Sequence, residues 1–330
     1  MTRYTTTDVL ICGAGVTGLT LAIELARHGV SFRLIEKRTT PFIGSRGKGI
    51  QPRTQEIFED LGILNKVVAA GGLYPRLRTY RHDGSYVDSD IAHHTKPTHA
   101  EPYHLPLMVP QNVTETIMRE QLKAWGHRVE FGCELRHFAQ TPRTVTAYVA
   151  GPAGEELLDS YEQERRPVAE SLLHLSTRLL DSQKQGGIKR ERDVQQLDIQ
   201  YTNSPLAHTL PERQHGLQAG ERAPDAPLLG AGGQSLRLFQ LLQGPDWNLL
   251  AYETHGKVID ARRNLRIHHI GEQDELIDTL GHFRESYHLA PGQCVLIRPD
   301  GYVGAFFHGK QSNDIENYLS RFAIGIKDEY

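Results

Sequence analysis

A glycine-rich turn near the amino terminus constrains the fold of this chain more than any other feature of its sequence. Residues 8–36 read DVLICGAGVTGLTLAIELARHGVSFRLIE, in which a short apolar run precedes three glycines with the spacing G-x-G-x-x-G. A helical pattern of apolar residues follows the glycines, and a second apolar run, 32–35, ends in an acidic residue. This order of strand, glycine turn, helix and strand predicts a dinucleotide-binding β-α-β unit within an α/β fold.

Each glycine of the motif has its own physical role. Gly13 permits the tight turn out of the strand, Gly15 lets the backbone approach a pyrophosphate because it has no Cβ, and Gly18 lets helix and strand pack closely. The helix N-terminus that follows offers N–H groups and a positive dipole end to phosphates. Val16 and Thr17, at the start of this helix, therefore belong to the predicted cofactor site together with the three glycines.

The acidic residue at the end of the second run indicates which dinucleotide could bind. Glu36 lies about 20 residues after the glycines, where it can accept hydrogen bonds from ribose hydroxyls, and its neighbour Lys37 is included in the predicted site. A carboxylate disfavours a ribose 2′-phosphate, so the sequence favours FAD or NAD over NADP. The alternative is a glycine turn with a purely structural role, which the surrounding strand, helix and acid disfavour.

Two further segments carry a resemblance to a known family. Residues 43–71 read IGSRGKGIQPRTQEIFEDLGILNKVVAAG, and residues 107–122 read LMVPQNVTETIMREQL. Both resemble the FAD-dependent aromatic-ring monooxygenases with the para-hydroxybenzoate hydroxylase fold, in the branch that acts on phenols and aromatic polyketides. The resemblance implies that Arg46 lies against the FAD pyrophosphate and ribitol and that Gln111 contacts the flavin. Gly47 stands at a position where the family usually has alanine. Without the resemblance, Arg46 could equally be a loop cation exposed to solvent.

The resemblance also implies a reaction, the hydroxylation of an activated aromatic ring. In that reaction NADH or NADPH reduces FAD, O2 adds at flavin C4a, and the distal oxygen of the hydroperoxide passes to the ring. The implied partners are therefore an aromatic small molecule and O2, and the protein supplies positioning and a dry cavity. The sequence identifies no catalytic residue.

Motifs that follow the FAD-binding segments in this family are missing from the chain. The family has a GADG-RS-VR motif and a GDAAH motif, whose aspartate holds the flavin ribitol, whereas this chain contains no Gly-Asp dipeptide. The sequence thus resembles a family member with a large internal deletion near residue 156. Only three candidate parallel strands remain, at 8–12, 32–36 and 128–133, where a doubly wound sheet has about five or six. The fold class predicted is an incomplete Rossmann-like FAD-binding domain with a bare sheet edge.

The predicted domain order follows from these segments. We expect residues 1–182 to form the truncated FAD-binding domain. Within it, residues 74–90 are predicted to be a hairpin that turns at Asp83-Gly84 and belongs to a partial substrate-binding sheet. A further strand is predicted at 143–150. Residues 183–217 are a polar linker. Residues 218–330 resemble the thioredoxin-like α/β domain of phenol and polyketide hydroxylases, with strands near 247–252, 265–270, 293–298 and 301–306. This segment has no C-x-x-C, so we expect packing or dimer contacts, as in a homodimer, rather than a redox role.

Composition and charge argue against several other classes of protein. The net charge of −3 and the isoelectric point of about 6.6 give no reason to expect nucleic acid or an anionic membrane as a partner. No apolar run is long enough to span a membrane, and the three cysteines suggest neither disulfides nor zinc, so we expect a cytoplasmic protein. The histidine-rich stretch containing His93, His94, His99 and His104 lacks metal-site spacing and is more consistent with a loop near the substrate.

Three hypotheses about function remain at this point. The first is a working hydroxylase that depends on FAD and NAD(P)H. The second is a non-catalytic remnant or scaffold, or a sequence that does not represent the native gene product. The third is an NAD-dependent dehydrogenase with the same glycine motif, which the segments around Arg46 and Gln111 disfavour.

Overall fold

The computed structural model describes residues 7–44, 47–90, 96–135, 163–172, 175, 192–254, 256–260, 262–272, 274–322 and 324. Its strands and helices, in chain order, are β1 Val9–Cys12, α1 Val16–Arg27, β2 Phe32–Glu36, β3 Gly49–Ile50, α2 Pro52–Asp60, α3 Leu64–Ala69, β4 Gly72–Leu73, β5 Leu77–Tyr80, β6 Tyr86–Ser89, β7 Leu107–Met108, α4 Gln111–Ala124, β8 Val129–Phe131, α5 163–172, α6 Arg192–Gln195, β9 Pro227–Gly230, β10 Ser235–Arg237, α7 Leu238–Leu242, β11 Trp247–Tyr252, β12 Leu265–Ile270, β13 Leu276–Ile277, α8 His282–Tyr287, β14 Gln293–Ile297, β15 Val303–His308 and α9 Ser312–Arg321.

The chain divides into two compact units whose boundaries differ from the predicted domains. The first unit comprises Met1–Ile50, Leu61–Leu73 and Leu107–Gly151, and the second comprises Gln51–Asp60, Tyr74–Pro106 and Pro152–Tyr330. Helix α2 and the hairpin segment therefore group with the carboxyl-terminal part of the chain. Helix α2 is joined to that part by the ion pair of Glu56 with Arg222 and by a hydrogen bond from Arg53 to the carbonyl of Asp300. Both contacts span more than 160 positions of the sequence, and apolar periodicity does not reveal them.

A three-stranded parallel sheet forms the centre of the first unit. Its order is β1-β2-β8, with Val9 opposite Phe32 and Leu34 opposite Val129, so the three predicted strands are confirmed. Helix α1 packs against α4 and buries Leu19 together with its neighbours on the same face. Within the described residues β1 pairs only with β2, and its side chains alternate between buried and exposed.

A seven-stranded mixed sheet forms the centre of the second unit, in the order β10-β9-β13-β12-β11-β14-β15. The four strands predicted in this region correspond to β11, β12, β14 and β15, and the first two are parallel. Strands β9, β10 and β13 have four, three and two residues, which is too short to show an alternating pattern. The thioredoxin-like assignment of this region stays a prediction.

Both faces of the central strands of this sheet are buried. Leu250 and Val295 belong to one apolar cluster, whereas their neighbours Leu249 and Leu296 belong to the other. Helix α9 contributes Ile315 to the second cluster. Strands covered on both faces are apolar at most positions, which explains the apolar runs in β11 and β14.

The predicted hairpin is confirmed as β5 and β6, which pair antiparallel from Leu77 opposite Ser89 to Tyr80 opposite Tyr86. Gly84 has a φ of +81°, the left-handed conformation that glycine adopts readily in a tight turn. The strand predicted at 143–150 lies outside the described residues. Within the part of the chain that the structure covers, no helix is both long and apolar enough to cross a membrane.

The segment predicted as a linker, 183–217, is irregular but well packed where the structure describes it, from residue 192 onward. Leu206 and Leu210 are buried in the two apolar clusters of the second unit. The backbone N–H of Tyr201 donates to the carbonyl of Gly220, and that of His208 donates to the carbonyl of Gly304. The sequence did not indicate this burial, because the few apolar residues of the segment are spaced too irregularly, and the linker assignment stays a prediction.

Helix α5 is held to the second unit by buried charges. Arg298 donates to both oxygens of Glu164, at 2.5 and 2.8 Å, and Ser204 donates to the same carboxylate at 2.6 Å. Arg165, the next residue of the helix, donates to Asp300 at 2.9 Å. Burial alone would raise the pKa of Asp300, but the surrounding guanidinium groups, Arg298 foremost, hold it below its ordinary value.

A second cluster of buried charges holds helix α2 in the same unit. Glu56 accepts hydrogen bonds from Arg53 at 2.7 Å and from Arg222 at 2.9 Å. Arg53 also donates to the carbonyl of Asp300. Burial raises the pKa of Glu56 despite its two guanidinium partners, so the position of α2 depends on keeping these partners in place.

We expect Glu164→Ala to lower the free energy of unfolding by about 3–5 kcal/mol, because it leaves the buried Arg298 without its bidentate partner. The matched control is Glu170→Ala in the same helix, whose exposed pair with Arg166 is worth at most about 0.5 kcal/mol. Urea denaturation of both variants measures the difference. Equal losses in the two variants would contradict the structural role given to Glu164.

Candidate functional site

The glycine turn between β1 and α1 has a geometry that other residues could not adopt at two of its positions. Gly13 has a φ of +107°, and its N–H donates to the carbonyl of Ile35 at 2.8 Å. A Cβ on Gly18 would lie 2.1 Å from the carbonyl oxygen of Gly13. A Cβ on Gly15, in contrast, would meet no protein atom within 4 Å. Gly13 and Gly18 are thus required by the protein itself, whereas Gly15 leaves open space where a ligand could approach.

The first turn of α1 is open to an anion. Gly15 is its N-cap and makes no side-chain capping bond, and no acidic side chain lies in the first turn. The N–H groups of Val16, Thr17 and Gly18 have no acceptor within the helix, as in every helix N-terminus. Together with the helix dipole they form a site suited to a phosphate group.

Glu36 at the end of β2 connects the strand to the glycine turn. One carboxylate oxygen accepts the N–H of Ala14 at 3.0 Å, and the other accepts the N–H of Arg38 at 3.0 Å. The bond from Ala14 is the main cause that holds the pKa of Glu36 below its ordinary value. An ionised carboxylate has about four acceptor positions, so two remain for ribose hydroxyls. Lys37, the other predicted residue at this strand end, is exposed.

A cavity of about 180 Å³ lies beside the turn and brings three of the predicted residues together, namely Gly15, Glu36 and Gln111. The remaining lining residues are Ala14, Arg38, Pro41, Phe42, Glu115, Arg119 and Phe131.

Arg46 lies outside the described residues, so its predicted contact stays a prediction. Among the histidines considered as ligands, His93 and His94 also lie outside them.

Helix α4 contributes a row of polar side chains to this cavity. The amide of Gln111 donates to Glu115 at 2.8 Å, and Glu115 lies 3.8 Å from Arg119. Burial lowers the pKa of Arg119, which means that its charge is poorly solvated and would be stabilised by an anion. Sequence reasoning identified Gln111 but missed Glu115 and Arg119. Their spacing of i, i+4 and i+8 on one helix face is the signal that could have identified them.

The other residues that line the cavity include aromatic rings and a cation. The guanidinium carbon of Arg38 lies 4.9 Å from the centre of the Phe42 ring. Pro41 and Phe131 also line the cavity. Phosphate-binding amides, a ribose-binding carboxylate and an apolar wall for a flat base are the groups that an adenosine diphosphate requires. The residues present therefore fit the adenosine diphosphate half of FAD.

Comparison with known proteins agrees with this fit. Residues 6–152 match the model of a family described as an FAD binding domain. The chain is 38% identical over 154 residues to a flavin-dependent monooxygenase of Mycobacteroides abscessus, which is 46% of this chain and 32% of the relative. It is 35% identical over 140 residues to the 6-methylpretetramide 4-monooxygenase of Streptomyces rimosus, covering 42% and 25% of the two chains. The chain thus spans about a third or less of these relatives.

Solved structures show the same fold. The flavin-dependent monooxygenase PieE, solved with FAD and substrate, has a TM-score of 0.75 at 15% identity, and the match covers 97% of this chain and 99% of PieE. The aklavinone-11 hydroxylase, solved with FAD and aklavinone, has a TM-score of 0.72 at 16% identity, with the same coverage. At such low identity these two matches concern the fold alone.

Alanine substitutions at two of the glycines should separate folding from ligand binding. Gly15→Ala should leave thermal stability nearly unchanged but weaken FAD binding, since the added Cβ occupies only the space open to a ligand. Gly18→Ala should lower the melting temperature clearly, because its Cβ collides with the Gly13 carbonyl. Differential scanning calorimetry and fluorescence titration with FAD measure the two effects. Similar destabilisation by both substitutions would refute the distinction.

The lowered pKa of Glu36 predicts a pH dependence of stability. A carboxylate with a depressed folded-state pKa contributes stability above its ordinary value of 4.5, and this contribution is lost as the pH falls through the folded-state pKa. Glu36→Gln should therefore flatten the decline in stability at acid pH, measured by urea denaturation across a pH series. Glu120→Gln, at an exposed position of α4, serves as the control. Identical pH profiles for wild type and Glu36→Gln would contradict the prediction.

Proposed function

We propose that this chain, whose residues 6–152 match a family described as an FAD binding domain, is an FAD-dependent aromatic monooxygenase that binds FAD and uses it to hydroxylate an aromatic substrate. The observation that carries the proposal is the cavity shared by Gly15, Glu36 and Gln111. NADH or NADPH would supply two electrons and O2 the oxygen atoms, one entering the ring as a hydroxyl group and the other leaving as water. Bound FAD would supply the redox chemistry of this reaction.

The residues of the chain would act by binding and orienting the cofactor. The first-turn amides of α1 would hold the phosphates, and Glu36 would accept the ribose hydroxyls. The negative charge of the diphosphate would stabilise the Arg119 guanidinium. The side-chain amide of Gln111, from the same helix, would donate a hydrogen bond to the cofactor. No described side chain stands out as a general base, so the proposal gives the protein a positioning role.

The names of the relatives support the substrate class. One relative is a 6-methylpretetramide 4-monooxygenase and another a rifampicin monooxygenase, 34% identical over 161 residues. A third is an aklavinone 12-hydroxylase of Streptomyces purpurascens, 32% identical over 165 residues. Polycyclic or phenolic aromatic compounds are therefore the proposed substrates. Because each match covers about a third of the relative or less, the activity of the whole chain is part of the proposal.

A second candidate function is FAD binding without hydroxylation, as in a remnant or scaffold protein. The observation that favours it is the three-stranded sheet of the described residues, in which β1 pairs only with β2. A doubly wound dinucleotide-binding sheet has about five or six strands. The absence of any Gly-Asp dipeptide from the sequence points the same way.

The visible spectrum of the purified protein after incubation with FAD tests both candidates. Bound flavin bands together with NAD(P)H oxidation and a hydroxylated aromatic product would support the hydroxylase. Bound flavin without product would favour the second candidate. Protein that remains colourless and takes up no FAD would overturn both.

Glu36 and Lys37 offer a matched pair for the cofactor site. Glu36→Ala should weaken FAD binding about tenfold to a hundredfold, the range expected for losing hydrogen bonds to a charged group. Lys37→Ala should change the affinity less than about twofold, because the exposed Lys37 does not line the cavity. Fluorescence titration with FAD measures both affinities. An equal loss in the two variants would contradict the role given to Glu36.

A further inference from the structure

Glu115 lines the cavity beside the glycine turn but takes no part in the contacts proposed with FAD. Only 5% of its side chain is exposed. A buried carboxylate costs free energy unless polar groups surround it, and a negative charge beside the proposed diphosphate site opposes the binding of that anion. The place of Glu115 therefore points to a role toward its neighbouring side chains rather than toward the phosphates.

Two side chains of the same helix lie next to this carboxylate. Oε1 of Glu115 accepts a hydrogen bond from Nε2 of Gln111 at 2.8 Å. Nη1 of Arg119 lies 3.8 Å from Oε2 of Glu115, which is an ion pair without a hydrogen bond. Nη2 of Arg119 donates instead to Oγ1 of Thr116 at 2.7 Å. Among the described residues, Gln111 is thus the one hydrogen-bond donor to the Glu115 carboxylate.

This hydrogen bond determines which end of the Gln111 amide faces which side. An ionised carboxylate has no proton to donate, so only the N–H end of an amide can face it. The carbonyl end lies on the other side, where Oε1 of Gln111 is 3.9 Å from the position of a Cβ built on Gly47. The backbone N–H of Gln111 donates to the carbonyl of Gly47 at 3.1 Å. Backbone and side chain of Gln111 are thus both held in one orientation.

A neutral side chain of the same shape would not impose this orientation. The substitution Glu115→Gln would offer Gln111 both a donor and an acceptor. The Gln111 amide could then turn over and still form one hydrogen bond, so its carbonyl oxygen would take the place of its N–H groups for part of the time. An acceptor atom of a ligand would meet the wrong end of the amide in that fraction of the molecules.

We propose that Glu115 is a positioning residue, which orients the Gln111 amide so that its second N–H is presented to the cofactor. This role rests on the FAD-binding function proposed above, in which Gln111 donates a hydrogen bond to FAD. Glu115 itself makes no contact with FAD, so its effect on orientation passes through Gln111. An amide that is oriented before FAD arrives removes the cost of selecting its orientation on binding.

Removal of the carboxylate also acts on FAD directly, because it takes a negative charge from beside the diphosphate and leaves Arg119 without its counter-charge. This direct effect should strengthen the binding of an anion, whichever side chain stands at position 111. The orientation effect, in contrast, requires the Gln111 amide. A double-mutant cycle therefore separates the two effects.

Fluorescence titration with FAD measures the affinities of wild type, Gln111→Ala, Glu115→Gln and the double variant. The effect of Glu115→Gln on affinity should be less favourable in wild type than in the Gln111→Ala protein, by a factor of at least about three. A smaller difference between the two backgrounds would overturn the positioning role. Wild-type protein that binds no FAD would refute the proposed function, and the positioning role with it.

Glu120→Gln is the matched control, because it removes the same charge from an exposed position of α4 that does not line the cavity. Its effect on FAD affinity should be the same in both backgrounds within about twofold. Glu115→Asp is a second test variant, since it keeps the charge but withdraws it from Gln111 by one methylene. It should weaken FAD binding at least about threefold in wild type and less in the Gln111→Ala protein; equal effects would count against the positioning role. Circular dichroism verifies folding.

The side-chain amide of Gln111 gives a second readout, in protein without FAD. Its N–H signals in an NMR correlation spectrum can be assigned because Gln111→Ala lacks them. They should shift in Glu115→Gln, where the carboxylate is gone, and stay in place in Glu120→Gln. Unchanged signals in Glu115→Gln would show that the carboxylate does not hold the amide, and would overturn the positioning role.

Discussion

The nucleotide site of this chain depends on the close approach of Gly18 to the carbonyl of Gly13, where a Cβ would lie only 2.1 Å from the oxygen. That approach brings the first turn of α1 directly onto the end of β1. It also places the N–H of Ala14 within hydrogen-bond distance of Glu36, at 3.0 Å. The amides and the carboxylate proposed to hold phosphate and ribose are thus positioned by one tight turn, and α4 adds further residues to the cavity lining.

The second unit is organised differently, by apolar packing on both faces of its sheet and by buried ion pairs that attach distant segments to it. Glu164 lies between Arg298 and Ser204, and Glu56 lies between Arg53 and Arg222. Pairs of this kind add little net stability because desolvation offsets their attraction, but removing one partner is costly. These pairs therefore determine the positions of α2 and α5 within the second unit. The amphipathic sequence of α5 alone does not specify that position.

The sequence allowed accurate prediction where local patterns determine structure. The glycine spacing identified the turn. Glu36 was predicted from its place at a strand end and Gln111 from the family resemblance, and both line the cavity. Glu115 was missed because its i, i+4 spacing from Gln111 places it on the same helix face but does not reveal the cavity that this face lines. Leu206 was missed because its segment is irregular, and its burial depends on contacts with sheet strands distant in sequence. Pairings across long separations, including those of the charged clusters, leave no periodic trace in the chain.

The central claim is that the turn, Glu36 and the cavity recognise an adenosine diphosphate whose ribose hydroxyls are unmodified. Competition against bound FAD by ADP and by its 2′-phosphorylated analogue tests this claim most directly. ADP should displace FAD, whereas the analogue should compete at least about tenfold more weakly, because its added phosphate would meet the Glu36 carboxylate. Equal competition by the two nucleotides, or none by ADP, would contradict the account.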